Sequence, residues 1–586
     1  MSQPHGHADA PYLDPGHSAD ERTADLLGRM TVEEKAGLMF HPMALVSPGG
    51  ELTGTFDPLA IPATEDAVVS RWVNHLYIVG SSDPSDIARW HNRVQEVAES
   101  TRLRIPVTIS TDPRHAFTRI LGTAAVTGGF STWPEAIGFA ALGDASLVER
   151  FADVVRRDYL AVGIRLALHP QADLATEPRW MRVAGTYGED SATVAALTAA
   201  QLRGLHGAVF GDSSISTMTK HFPGCGPQRD GEDPRFVYGK EQDYPGGRME
   251  EHLAPFIAAI AAGTRQILLS YGVPTWQGSA GVGFCFDRDV VTGVLRERLG
   301  FDGIVSTDWG VINDVNLLGQ DMPAPAWGLE ELTPEQRILR ALEAGVDQFG
   351  GEYCPELVVD LVRGGAVTQD RLDASAARIL REKFALGLFD QRRVDVDRVP
   401  ELVGQPRDVA TGREMQTRSL TVLGDRIGLP LALGTAVHLD GLDPIAFDGI
   451  ATVVGPEEAQ VTIVRVEAPF EPRAGGFEAL FHAGSLELDD GAAAALSAKL
   501  ATRSTILVVD LDRPAILRPH VEADVLIAAF GASDQAIVDG LFGRQPMEGR
   551  LPFDLPSSEA HVEASRTDVA FDTEAPLFKQ GFRARG

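Results

Sequence analysis

The sequence has little cysteine and no long apolar run. Its three cysteines, Cys225, Cys285 and Cys354, lie far apart, and no CxxC pair occurs. This pattern is typical of a reducing compartment and offers no thiolate metal site. Without an apolar run of about 18 residues or more, no membrane span is expected. The start of the chain is polar and does not resemble a signal peptide, so we expect a cytoplasmic location.

Positive charge is also scarce. Lys and Arg total 52 against 82 Asp and Glu, which makes the formal net charge −30. Binding to nucleic acid and docking on anionic membranes both need a basic surface, so neither partner is expected. The charge balance favours neutral or cationic ligands and high solubility. Assembly into a homo-oligomer is left open.

The length of 586 residues predicts two or three domains. In the first two-thirds, short apolar runs alternate with amphipathic stretches, a pattern typical of a parallel sheet with helices on its faces. This pattern favours an α/β fold with a (β/α)8 TIM-like barrel over residues 1–390, and a doubly wound sheet is the alternative. The strand candidates are 75–80, 105–111, 164–170, 215–221, 265–271, 303–308 and 345–350.

A second unit follows the barrel. The polar, proline-containing stretch that starts near residue 391 predicts a linker over 391–425. From 426 onward, β runs such as "VTIVRVEAP" and "STILVVDLDRP" surround "SDQAIVDGLFG" (533–543), which has the pattern of a helix. Residues 426–586 are therefore predicted to form a smaller α/β sandwich domain.

Several strand candidates end on polar or reactive side chains. "GIVSTDWGVI" (303–312) is an apolar run that ends on a carboxylate beside an indole. A buried carboxylate is costly unless it is paired or used in chemistry. In a barrel, strand ends converge on the face that carries active sites, so these side chains predict one. They are Asp112, His169 with Asp173, Lys220 with His221, Tyr271 and Asp308.

Longer motifs occur along nearly the whole chain. They are "ADLLGRMTVEEKAGLM" (24–39), "LHPQADLATEPRWMRVAGTYGED" (168–190), "TKHFPG" (219–224), "GFDGIVSTDWG" (300–310), "GRLPFDLP" (549–556) and "PLFKQGF" (576–582). In this order they resemble glycoside hydrolase family 3, and the first is similar to that family's opening helix. The resemblance implies a two-domain enzyme of the β-glucosidase type that acts on a small carbohydrate or glycoside.

The resemblance also implies roles for individual residues. Asp308 matches the nucleophile of a retaining glycosidase, and Trp309 would line one side of the sugar subsite. Lys220 and a nearby arginine would keep Asp308 ionised. The positions that match substrate-binding residues of the family are Asp112, Arg182, Lys220, His221 and Tyr271.

The general acid/base is implied to come from the second domain. Family members of the glucosidase type carry a loop similar to GE-x-PY-x-E, and this chain has "RVEAPFEPRAGG" (465–476), which is one residue shorter. Glu471 matches the catalytic glutamate of that pattern. Glu467 matches the first glutamate and is the alternative.

Together these matches imply a retaining, exo-acting β-glucosidase that releases terminal β-D-glucosyl residues through a covalent glycosyl-enzyme. Because both chemical roles are carboxylates, no cofactor and no metal are expected. A β-xylosidase or another exo-glycosidase of the family is the near alternative, ahead of a phosphorylase or an inactive sugar-binding homologue. The hexosaminidase branch is set aside, because Cys225 stands where its loop has a histidine after KHFPG.

Overall fold

The computed structural model of the chain describes residues 10–117, 128–501 and 504–584. One part of the chain is built around a parallel sheet and the other around a six-stranded mixed sheet. The expected α/β fold with two domains is therefore confirmed. Across the described residues, every helix is too short or too polar to cross a bilayer.

Nine strands of the first domain pair in one continuous parallel order. In the described residues they are Phe40–His41, Met43–Ala44, His75–Ile78, Thr108–Thr111, Ile164–Ala167, Ser216–Phe222, Gln266–Leu269, Ile304–Ser306 and Phe349–Gly350. The strands from Met43–Ala44 to Ile304–Ser306 form six successive parallel pairs, each strand beside the next one in the list. The last strand pairs in parallel with the first, and Gln348 beside it bridges to Ser306. The pairing thus returns to its starting point and forms a ring.

The first strand of the ring was not predicted from the sequence. Pro42 separates Phe40–His41 from Met43–Ala44, and proline has no N–H to donate to a strand ladder. The segment is short and apolar and follows a helix directly, so no alternating pattern indicates a strand. Each of the seven strand candidates of this domain overlaps a strand of the ring.

Helices connect the ring strands. In the described residues of this domain they are Ala19–Arg29, Val32–Leu38, Pro84–Ser100, Ala136–Leu142, Ala145–Val162, Ser191–His206, Met249–Ala261, Pro334–Ala344, Pro355–Arg363 and Gln369–Ala385, with π-helical turns at Asp66–Ser70 and Asp289–Arg298. Local sequence sets their ends. Asp144 accepts a hydrogen bond from the Ser146 N–H at the start of Ala145–Val162, and Gly163 ends that helix with a φ of 83°.

The motif at 24–39, expected as one opening helix, contains the end of one helix and all of another. The Thr31 hydroxyl accepts a hydrogen bond from the Glu34 N–H, and the Glu34 carboxylate accepts one from the Thr31 N–H. This reciprocal cap begins the helix Val32–Leu38, while Met30 and Thr31 are extended. The expectation of a single helix was wrong because it did not take Thr31 as a start signal.

The segment 391–425, expected as a linker, contains regular structure. It includes the helices Val399–Leu402 and Pro406–Ser419 and the strand Thr421–Asp425, which belongs to the second sheet. Gln416 joins the two domains: its amide donates to the Thr132 carbonyl, and its oxygen accepts from Ser533. The connection is thus packed against both domains.

The second domain is a sheet covered on both faces. Its strands are Thr421–Asp425, Ala436–Asp440, Thr452–Val453, Val461–Glu467, Thr505–Asp510 and Val525–Ala529, with helices Asp490–Leu500, Asp534–Leu541 and Glu559–Ala564 in the described residues. The strand Thr421–Asp425 pairs antiparallel with Val525–Ala529, and the other pairings of these six strands are parallel. Leu507 and Val509 pack in one apolar cluster and Ile506 and Val508 in another. Burial of both faces is typical of a parallel sheet between two layers.

The C-terminal stretch returns to the first domain. Glu189, from the "GED" of the long motif, accepts hydrogen bonds from the backbone N–H groups of Asp554 and Phe571. Burial raises the pKa of Glu189 to about 8, although these two N–H groups lower it. Glu189 therefore holds the C-terminal segment, a role that the sequence did not indicate.

Candidate active site

One cavity lies at the carboxyl ends of the ring strands. Six of the eight residues favoured from the sequence line it: Asp112, Arg182, Lys220, His221, Asp308 and Trp309. Tyr271 lies beside this group, where its hydroxyl donates to the Trp309 carbonyl at 2.7 Å. The cavity has a volume of about 110 Å³. Residues separated by nearly 200 positions thus meet because parallel strands end on one face.

Asp112 and Lys220 form a buried ion pair. The Lys220 Nζ donates to Asp112 Oδ1 at 2.8 Å, and the Tyr77 hydroxyl donates to Asp112 Oδ2. Burial raises the pKa of Asp112, but Lys220, Tyr77 and Arg182 together lower it below its usual value. This carboxylate therefore stays ionised, and with Lys220 it offers both an acceptor and a donor to a hydroxyl.

His221 is held between acids and a guanidinium. Its Nδ1 lies 2.8 Å from Asp173 Oδ2, and its Nε2 lies 3.0 Å from Arg182 Nη1 and 3.9 Å from Asp308 Oδ2. Because Arg182 can only donate, we assign the proton to Nδ1, and Nε2 accepts. Burial and Arg182 both lower the pKa of His221, against the raising effect of Asp173. The imidazole is therefore neutral.

Asp308 lies two residues after the end of the strand Ile304–Ser306, and its neighbours orient it. Asp308 Oδ1 accepts a hydrogen bond from the Trp309 N–H at 2.8 Å. Asp308 Oδ2 is buried and has no hydrogen-bond partner among the described residues. An unpaired buried acceptor costs about 1–3 kcal/mol, so an oxygen left in this state is available to a ligand.

The cation near Asp308 differs from the one expected. Lys220 was predicted to keep Asp308 ionised, yet its ion pair is with Asp112. Arg235 approaches instead: its Nε donates to the Tyr271 hydroxyl at 3.4 Å, and Asp308 is among the groups that raise its pKa. Burial lowers the pKa of Arg235, but Tyr271, Asp233 and Asp308 raise it further, so the guanidinium is charged.

Arg235 was not singled out from the sequence. It lies in "QRDGEDPRF" (228–236), a loop without periodic pattern that follows the KHFPG motif. The guanidinium lies over the rings of Tyr271 and Phe477, at 5.4 and 5.2 Å from their centroids. Arg473 of the second domain pairs with Glu232 in the same loop. The loop therefore joins the two domains at the cavity.

Neither candidate acid/base lines the cavity. Glu471 is exposed, its N–H donates to the Ala483 carbonyl at 2.8 Å, and its carboxylate lies against Gly484. Glu467 is also exposed, at the end of the strand Val461–Glu467. Among the described residues that line the cavity, Phe477 alone comes from the second domain. The structure thus brings six predicted residues together and leaves both glutamates outside.

Arg513 holds the loop that carries Glu471. It is fully buried, and its guanidinium donates to the backbone carbonyls of Pro469, Ala483, Gly484 and Ser485. It also donates at 2.9 Å to the carbonyl of Arg179, in the first domain. One side chain thus ties both ends of the loop to the first domain.

Arg513→Met is expected to destabilise the protein by about 3 kcal/mol or more, because it leaves several buried carbonyls without a donor. Arg513→Lys should lose nearly as much, since one ammonium cannot reproduce the planar fork of donors. Thermal unfolding of both variants measures the effect. Arg544→Met, at a half-exposed arginine of the same domain, is the control. Unfolding temperatures equal to the control would contradict the assignment.

The described residues contain no group of three or more His, Cys, Asp or Glu side chains placed to hold a metal ion. The polar side chains that line the cavity include those of Asp112, Asp308, Lys220, two arginines and the neutral His221.

Known proteins resemble this chain in sequence. The family described as "Glycosyl hydrolase family 3 N terminal domain" matches residues 65–382. Beta-glucosidase C of Emericella nidulans is 46% identical over 579 residues, which cover 97% of this chain and 93% of that protein. The periplasmic beta-glucosidase/beta-xylosidase of Dickeya chrysanthemi is 38% identical over 599 residues, which cover 98% of this chain and 91% of that protein.

Solved structures resemble the chain in fold. A beta-glucosidase from Erythrobacter marinus matches with a TM-score of 0.77 at 21% identity, over 99% of this chain and 84% of that one. A mutant exo-1,3/1,4-beta-glucanase from a Pseudoalteromonas species matches with a TM-score of 0.77 at 20% identity, over 97% of this chain and 95% of that one. At this level of identity the likeness shows a shared fold.

Proposed function

The chain belongs to glycosyl hydrolase family 3, and from that premise we propose that it is a retaining, exo-acting β-glucosidase. The observation that carries the proposal is the unpartnered Asp308 Oδ2, which faces a cavity lined by hydroxyl-binding groups. We take the ring of parallel strands to be the (β/α)8 barrel expected from the sequence, with its active site at the strand ends.

In this proposal one terminal glucosyl residue occupies the inner part of the cavity. The volume of about 110 Å³ is well below the roughly 300–1,000 Å³ of pockets that bury drug-sized ligands, which favours a single sugar ring. Asp112 and Lys220 bind hydroxyls as acceptor and donor, and Arg182 donates beside them. Trp309 packs on Tyr77 with ring centroids 5.4 Å apart and gives the sugar a flat wall.

The chemistry requires two carboxyl groups. Asp308 attacks the anomeric carbon and forms a covalent glycosyl-enzyme, while an acid protonates the departing glycosidic oxygen. The same acid, as carboxylate, then takes a proton from the water that releases β-glucose. In retaining enzymes the two groups lie about 5–5.5 Å apart. We assign the second role to Glu471, with Glu467 as the alternative, so the loop has to approach the cavity when substrate binds.

A second substrate has a specific observation in its favour. The Dickeya chrysanthemi relative, 38% identical to this chain, carries both beta-glucosidase and beta-xylosidase in its name. A β-xyloside differs from a β-glucoside only in lacking the C6 hydroxymethyl group, so β-xylosidase activity is the alternative for the same site.

The test is hydrolysis of p-nitrophenyl β-D-glucoside and β-D-xyloside, with NMR detection of the first anomer released. We expect faster turnover of the glucoside, initial release of the β-anomer, and a rate that does not depend on phosphate. Initial release of the α-anomer would contradict retention, and sugar 1-phosphate would indicate a phosphorylase. The absence of turnover on both substrates would favour an inactive sugar-binding homologue. The cytoplasmic location stays a prediction.

A further inference from the structure

We propose that the outer part of this cavity selects an apolar aglycone, an alkyl or aryl group, over a second sugar. This inference rests on the proposed function, because it concerns the leaving group of the same reaction. The observation behind it is an apolar wall made by a short hairpin and one aromatic ring. The residues of this wall that line the cavity are Val315, Leu317, Met322, Pro323, Pro325 and Phe477.

The hairpin directs its apolar side chains to one side. The strands Val315–Leu317 and Gln320–Met322 pair antiparallel, with Val315 opposite Met322 and Leu317 opposite Gln320. Alternate residues of a strand and their cross-strand partners share a face, so these four side chains lie together. Three of them are apolar and line the cavity.

The fourth residue of that face attaches the hairpin to the second domain. Gln320 accepts a hydrogen bond from the Phe477 N–H at 3.2 Å, and its amide donates to Glu478 at 3.3 Å. The Phe477 ring thus continues the wall across the domain boundary. The polar side chain is engaged by the neighbouring loop rather than offered to a ligand.

The hairpin stands on the outer side of the cavity. Its tip residue Leu318 is 44% exposed, and the Leu318 N–H donates to the Pro58 carbonyl at 2.8 Å. The hydroxyl-binding groups Asp112 and Lys220, by contrast, are buried at the strand ends. A glucosyl residue held by these groups directs its glycosidic oxygen outward. The leaving group therefore meets the hairpin and Phe477.

Desolvation decides which leaving group this wall favours. The hydroxyls of a second sugar would lose water against Val315, Leu317 and Met322 and find no replacement there, which is unfavourable. An alkyl or aryl group loses no hydrogen bonds and gains from burial. Each buried methylene is expected to raise kcat/KM about two- to fourfold until the wall is covered.

The experiment is a series of methyl, butyl, hexyl and octyl β-D-glucosides, with cellobiose as the sugar aglycone. The alkyl alcohols have nearly equal leaving-group chemistry, so the series isolates apolar contact. We expect kcat/KM to rise at least tenfold from methyl to hexyl. We expect cellobiose to fall below hexyl glucoside, although its leaving group is the better one.

Substitutions in the hairpin test whether its apolar side chains cause the preference for alkyl aglycones. Met322→Gln and Val315→Thr nearly preserve shape and add polarity, and each should reduce the hexyl-to-methyl ratio of kcat/KM about threefold or more. Val453→Thr makes the same exchange at a site 42% exposed on the second sheet, and its ratio should match wild type. Equal kcat/KM values from methyl to hexyl β-D-glucoside would overturn this inference but not the proposed function. A higher kcat/KM for cellobiose than for hexyl β-D-glucoside would do the same. If no β-glucoside is hydrolysed, the proposed function itself fails.

Discussion

Asp308→Ala is expected to lose at least about 10⁴-fold in kcat on β-glucosides, the order of effect seen when a covalent nucleophile is removed. The reason lies in its geometry. Trp309 orients one carboxylate oxygen through its backbone N–H, while the other has no partner among the described residues and faces the cavity. Steady-state hydrolysis of p-nitrophenyl β-D-glucoside measures the loss.

Addition of azide to the Asp308→Ala variant tests whether Asp308 is the nucleophile. Removal of the Asp308 carboxylate leaves room for a small nucleophile on the same side of the sugar, so the rescued product should be α-glucosyl azide. Asp302→Ala is the matched control, because Asp302 precedes the same strand and is exposed in a surface ion pair. We expect its activity to equal wild type. Substantial unrescued turnover by Asp308→Ala would show that another residue is the nucleophile.

Glu471→Ala is expected to reduce kcat/KM about 10²- to 10⁴-fold on methyl β-D-glucoside, whose leaving group needs protonation. The loss should be much smaller with 2,4-dinitrophenyl β-D-glucoside, because that leaving group departs without an acid. Azide should then attack the glycosyl-enzyme from the opposite side and yield β-glucosyl azide. The two azide anomers separate the roles of Asp308 and Glu471.

Glu467→Ala is the matched comparison for Glu471→Ala. Both glutamates are exposed, and they lie four positions apart on the same stretch of the second domain. If Glu467→Ala shows the leaving-group dependence instead, the acid is Glu467. If neither variant shows it, the acid lies elsewhere. Glu232 is then the next candidate, because burial raises its pKa above the usual value although Arg473 lowers it.

A positive result for Glu471 has a structural consequence. Its carboxylate is outside the cavity, while Arg513 holds the ends of its loop to the first domain. The part of the loop between these ends would then have to move toward Asp308 on substrate binding. The same part of the loop carries Phe477, which already lines the cavity.

Much of the site could be predicted because of how strands end. An apolar run followed by a reactive side chain can be recognised in the sequence alone, as in "GIVSTDWG" and "TMTKHFPG". Parallel strands paired in one ring end on one face, so residues at these ends converge whatever their separation along the chain. Asp112, Lys220, His221 and Asp308 were found in this way, and they line one cavity.

The partners of these residues could not be predicted in the same way. Lys220 was expected near Asp308 but pairs with Asp112, which is 108 positions away. Arg235 approaches Tyr271 from a loop without periodicity, and Arg513 reaches a carbonyl 334 positions away. Local patterns carry no information about which of several charged groups at one edge will pair.

By itself, the sequence determined the α/β fold, the two domains, and the strand-end residues of the site. Apolar periodicity and short motifs can be recognised within single stretches of the chain. Only the tertiary structure decided that Pro42 interrupts a first strand, that Glu189 holds the C-terminal segment, and that Lys220 pairs with Asp112. It also placed Glu471 and Glu467 outside the cavity and Phe477 in its wall. These outcomes depend on how loops from two domains pack together, and packing follows from shape and desolvation across long separations in sequence.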